Sequence, residues 1–100
     1  MRTVRFHDAA RVELRHEVGY YTQISPVLGR RLVEAVEEAI GLAQSFPKIG
    51  SPYLDQTRRV FPKRFPFSIV YLNRGAEVFI VAVAPFSRKP GYWRTRKVDP

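Results

Sequence analysis

One hundred residues hold one compact domain, 1–100, long enough to bury roughly 60–70% of the surface that its unfolded chain exposes. A hydrophobic content of 45% with 13% aromatics excludes a disordered chain, and the absence of cysteine excludes a disulfide framework, a thiolate zinc site and a cysteine nucleophile. The formal net charge of +8 sits almost wholly in the second half: residues 1–50 carry seven Lys/Arg against six Asp/Glu, residues 51–100 ten against three. A field this lopsided draws nucleic acid, an acidic protein or an anionic surface.

The N-terminus, MRTVRFHDAARVELR, has no apolar signal core. The longest apolar run, residues 78–85, falls far short of the about 20 residues that cross a bilayer, so the chain reads as cytoplasmic with no membrane partner. Residues 3–7 (TVRFH) alternate as a half-buried strand does, Val4 and Phe6 to one side, Arg5 and His7 to the other. Asp8 stands where an N-cap belongs, and Ala10, Leu14, Val18 and Tyr21 follow at helical spacing, which predicts a first helix from Asp8 to about Gln23. Ser25-Pro26 opens a second helix, with Leu28, Leu32, Val36, Ala39, Ile40, Ala43 and Phe46 on one face, ending before Pro47. The short link between them predicts an antiparallel helical hairpin.

Residues 48–56 contain Gly50 and Pro52 and read as a loop. Residues 58–61 (RRVF) read as a strand stopped by Pro62, with Lys63 and Arg64 in a turn. Residues 67–72 and 78–84 are two apolar strands joined by Asn73-Arg74-Gly75-Ala76, and Pro85 stops the second. The order is β-α-α-β-β-β: an α+β fold with the helical hairpin packed on one face of a small, mainly antiparallel sheet. The opposite face is expected to stay partly open, bordered by basic side chains, and the partner of the first strand cannot be read from the sequence.

The chemistry is that of arginine and aromatics. His7 and His16 lie on different elements with no carboxylates arranged around them, so no metal and no cofactor is implied. In the basic half the only acids are Asp55, Glu77 and Asp99, which gives no paired-carboxylate site, and Ser68 and Ser87 have no histidine near them in sequence. Arg58, Arg59, Lys63, Arg64, Arg88, Lys89, Arg94 and Arg96 bracket the sheet as candidate contacts to a target or to nucleic acid. Trp93 is expected to pin the tail to the sheet, while Tyr92 fits stacking on a base or packing equally well.

The order of elements, the FPFSIVY and IVAVA strands and the SRKPGYWRTR tail together resemble the RelE/ParE toxin superfamily of type II toxin–antitoxin systems. The aromatic-proline pair before the central strand falls at Phe65-Pro66-Phe67, and the Arg-x-Pro-x-x-Trp pattern after the last strand is matched by Arg88, Pro90 and Trp93. The resemblance implies a cytoplasmic toxin held inactive by a cognate antitoxin in a hetero-oligomer. It implies one of two targets: ribosome-bound mRNA, cut without metal by RelE-like members, or DNA gyrase, inhibited by ParE-like members. For the ribonuclease reading, Arg88 and Tyr92 are the carried-over catalytic residues, with Arg58 and Arg59 nearby. An arginine that RelE-like enzymes carry on the hairpin strand falls at Ser68, the basic residue expected after the last strand falls near Pro85 or Phe86, and a histidine common there is replaced by Pro85. These departures favour the ParE-like branch, a non-enzymatic growth inhibitor. A repurposed, non-toxic binding module on the same scaffold is the third reading.

Overall fold

The computed structural model describes residues 2–98; Met1, Asp99 and Pro100 lie outside the described residues. Five strands and two helices follow in the order β1 (Thr3–Phe6), α1 (Asp8–Ile24), α2 (Pro26–Ser45), β2 (Ser51–Pro52), β3 (Arg58–Val60), β4 (Phe67–Asn73) and β5 (Glu77–Pro85). The sheet order is β1-β5-β4-β3-β2. β1 pairs in parallel with β5, and the other three pairings are antiparallel. The expected loop before β3 therefore contains a two-residue edge strand, followed by a turn of 3-10 helix at Leu54–Gln56.

The first helix is capped by His7, not by Asp8. His7 is the residue with extended backbone angles, and its Nδ1 accepts the Ala9 N–H at 3.0 Å, leaving Asp8 as an acid in the first turn where the helix dipole favours it. A single residue, Ser25, separates the helices; it occupies the cap position of α2 without a side-chain cap bond. With so short a link the helices must lie antiparallel, and Ala10 of α1 with Leu32, Val36, Ala39 and Ala43 of α2 meet Phe67, Ile69 and Tyr71 of β4 and Val78, Ile80 and Val83 of β5. The spacing on β5 is broken by a bulge. Val70 pairs with Ala82 but Tyr71 pairs with Ile80, so Val81 is the extra residue, and Val81 and Ala82 both turn away from the helices.

The face away from the helices is not open. Val70, Phe79, Val81 and Ala82 form a second core with Trp93, which is 3% exposed, and Tyr53, Leu54, Tyr92 and Val98 close around it. The tail after β5 crosses this face as a series of turns with no periodic pattern of its own. Apolar side chains on that face are driven under whatever cover the chain supplies, and Trp93 supplies the largest single piece.

Candidate functional site

The tail and the sheet enclose a small cavity of about 100 Å³ lined by Tyr53, Arg59, Ser68, Arg88, Lys89 and Tyr92, with Pro85, Phe86 and Trp93 at its border. β3 contributes Arg59, β4 the buried Ser68, and the tail the remaining cations. No acidic residue and no histidine lines it among the described residues. The two guanidiniums lie over aromatic rings: Arg59 over Tyr53 and Arg88 over Tyr92, each with Cζ 3.8 Å from the ring centroid.

Tyr92 is placed by Glu13, a residue of α1. β1 ends at Phe6, opposite Ile80, so the edge of β5 beyond Ile80 has lost its neighbouring strand. Side chains take the place of the ladder there. Glu13 accepts the Val83 N–H at 3.0 Å, Arg96 donates to the Val81 carbonyl at 2.9 Å, and the Tyr92 hydroxyl lies 3.3 Å from the Val83 carbonyl. Glu13 also accepts from the Tyr92 hydroxyl at 2.5 Å and from both terminal nitrogens of Arg96 at 2.8 and 2.7 Å, a two-point pair in which each side chain is about 15% exposed. Burial by itself would raise the Glu13 pKa; the bonds from Arg96, Tyr92 and Val83 outweigh it and hold the carboxyl below its ordinary value of 4.5. Burial, and then the bond to Glu13 and its charge, push the Tyr92 hydroxyl far above the usual tyrosine range.

A family model described as "ParE toxin of type II toxin-antitoxin system, parDE" matches residues 4–90. The chain belongs to the ParE toxin family. A solved chain titled "Chromosomal ParDE TA system from P. aeruginosa" superposes on it with a TM-score of 0.70 at 20% identity, covering 85% of this chain and 96% of that one. Likeness at that identity speaks for the fold. No curated protein sequence matches the chain significantly.

In this ParE-family chain the eight basic candidates are dispersed. Arg59, Arg88 and Lys89 share the cavity. Arg58 instead donates to the Lys48 and Gly50 carbonyls at 3.1 and 2.7 Å and straps the loop before β2. Arg94 makes a two-point pair with Asp55, both bonds 2.8 Å, at an exposed position, and Arg96 is taken by Glu13. Lys63 and Arg64 sit on the helical side, where they line a different depression with Tyr21, Leu28, Arg31 and Glu34. Glu13 was the residue that sequence reasoning passed over. Its signal was there: positions 10, 13, 14, 18 and 21 fall on one side of α1, so a carboxylate at 13 stands among core positions and needs a buried partner. Among the described residues no group of three or more His, Asp or Glu is gathered as a metal-ligand set, and no helix is long and apolar enough to cross a membrane.

Proposed function

We propose that this ParE-family toxin stops growth by binding its target rather than by cutting a substrate, that the target is DNA gyrase in the cytoplasm, and that a cognate antitoxin neutralises it. The observation that carries the reading is the state of Tyr92. RNA cleavage by general acid–base catalysis needs a group that exchanges a proton near neutral pH. The Tyr92 hydroxyl is instead committed to Glu13 and its pKa is raised. Ser68, which stands where the ribonuclease branch has an arginine, is buried and brings no charge.

The antitoxin reading is supported by the helical hairpin. Two largely apolar grooves of about 430 Å³ each run along it, one lined by Phe6, Leu14, Val18, Val33, Val36 and Ile40 with Glu37 and Gln44 at its side, the other by Val18, Thr22, Pro26, Gly29 and Val33 with Arg30 and Glu34. Val27, Val33 and Leu42 remain exposed on α2. An amphipathic helix laid into such a groove buries this surface.

The test is direct. Purified protein should inhibit gyrase supercoiling of relaxed plasmid and leave mRNA intact on translating ribosomes, and expression without antitoxin should arrest growth. Ribosome-dependent cleavage that disappears in Arg88→Ala or Tyr92→Phe would replace this reading with the ribonuclease. Expression without any effect on growth would replace it with a non-toxic binding module.

A further inference from the structure

The cavity beside Tyr92 carries chemistry that inhibition of an enzyme does not by itself require. The guanidiniums of Arg59 and Arg88 lie over tyrosine rings, and a ring offers no hydrogen-bond acceptor in place of a carboxylate or phosphate for their N–H groups. Neither guanidinium makes a hydrogen bond or ion pair with a described residue, and Nε of Arg59 is buried without an acceptor. A buried donor in a folded chain has a partner almost without exception, so an orphan of this kind marks a place where something else supplies the acceptor. Among the described residues Glu13 pairs with Arg96, Asp55 with Arg94 and Glu77 with Arg5 and Arg74, while Glu17 lines a neighbouring depression with Phe86 and Arg88.

Size and surroundings define the ligand. The cavity is small and lined by cations, which suits an oxyanion group. Phe86 borders the cavity at 59% exposure and pairs with Phe61, 45% exposed, at 6.2 Å between centroids; the Arg59 guanidinium lies 5.2 Å from the Phe61 ring. Exposed rings next to fixed cations match the alternation of base and phosphate along a single strand. An acidic peptide would fill the cavity and leave the rings idle, and a duplex keeps its base faces stacked.

From this juxtaposition we infer that the cleft binds a single-stranded nucleic-acid segment, with a phosphodiester between Arg59 and Arg88 and a neighbouring base on Phe86 and Phe61. The inference goes beyond the gyrase reading, whose enzyme acts on duplex DNA, and does not depend on it. Binding to a bare strand is measured without gyrase, so the two stand or fall separately. Strand binding without supercoiling inhibition would remove the target and keep the site. Inhibition without strand binding would do the reverse.

The experiment is fluorescence anisotropy of a short fluorescein-labelled oligothymidylate titrated with the purified full chain over a range of salt. Arg88→Ala should weaken binding about tenfold and reduce the slope of log K against log salt by about 0.7, the loss of one phosphate contact. Phe86→Ala should weaken it about fivefold or more with the slope unchanged. Lys63→Ala removes the same charge from the helical side and should change affinity by less than about twofold. Both cleft side chains are exposed, so these variants keep the fold, and Arg59→Lys, which retains charge but loses the planar fork, should weaken binding in the same direction. Equal losses in Arg88→Ala and Lys63→Ala would reduce the effect to the overall field and overturn the site. So would an unaffected Phe86→Ala, equally tight binding of the matching duplex, or competition by polyglutamate as effective as by unlabelled oligothymidylate.

Discussion

Replacing Glu13 by glutamine tests the account of the tail most directly. The substitution keeps the size of the side chain and removes its charge. Four hydrogen bonds converge on the carboxylate, from Val83, from Tyr92 and twice from Arg96. An amide replaces one of the two acceptor oxygens by an NH2 group, so one of the two Arg96 bonds is lost and an amide donor faces a guanidinium nitrogen instead. Arg96 then keeps the Val81 carbonyl and a single uncharged acceptor, at 15% side-chain exposure. Breaking a fully buried pair on one side costs about 3–5 kcal/mol; with both partners here slightly exposed, about 2–4 kcal/mol is expected. For a domain of this length that is a drop of roughly 10–20 °C in Tm. Thermal unfolding at pH 7 measures it, and the single tryptophan adds a local probe. Trp93 is 3% exposed and lies in the tail that Glu13 holds, so its emission should shift to the red at a lower temperature than the far-UV helical signal changes. A double-mutant cycle with Arg96→Gln isolates the pair and should give a coupling of at least about 1.5 kcal/mol. A loss below about 0.5 kcal/mol in Glu13→Gln, or no coupling to Arg96, would refute the idea that a helix residue fastens the tail.

Two further outcomes follow from the same structure. Tyr71→Phe should cost about 1–3 kcal/mol, because the buried hydroxyl both donates to the Pro47 carbonyl at 2.7 Å and accepts the Gly50 N–H at 3.1 Å; urea unfolding measures the loss, and the Gly50 amide should exchange faster with solvent. Stability should also fall in acid. Glu13 has a folded-state pKa below 4.5, so its contribution is complete above that pH and is lost as pH drops through the lower, folded value. Thermal scans should therefore show Glu13→Gln with a shallower acid slope than the wild-type chain, and parallel slopes would assign the acid sensitivity to other carboxylates.

The elements were legible because each carries its own local signal. The periodicity of Leu32, Val36, Ala39 and Ala43 needs no tertiary context to read as a helix, and the β-branched run of β5 reads as a strand. What was illegible depends on partners distant in sequence. The parallel pairing of Thr3 with Glu77 joins opposite ends of the chain, and nothing local encodes it. The tail was expected to leave its face of the sheet open, because an irregular segment has no period from which cover can be inferred; Trp93 was its one apolar anchor, and its burial brings Tyr92 and Arg96 onto β5. The cap on α1 was assigned to Asp8 by residue type, whereas the extended backbone that defines a cap falls one residue earlier, at His7.

The arginines show the same divide in sharper form. Ten cations against three acids in residues 51–100 guarantee that most cations there lack a local counter-charge, but composition cannot say which ones. The fold decides it by geometry. Glu13 reaches from the first half of the chain and takes Arg96, at a position where both groups are largely withdrawn from water and losing one partner costs much more than at a surface bridge. Asp55 takes Arg94 at about half exposure, where water and salt weaken the interaction and its loss should hardly affect stability. Arg59 and Arg88 are left with tyrosine faces and no carboxylate. A stacked guanidinium has already lost part of its hydration and its conformational freedom, so an arriving anion meets a cation that needs little further ordering. Two arginines that the fold holds on aromatic rings without a carboxylate are therefore well prepared to bind something outside it.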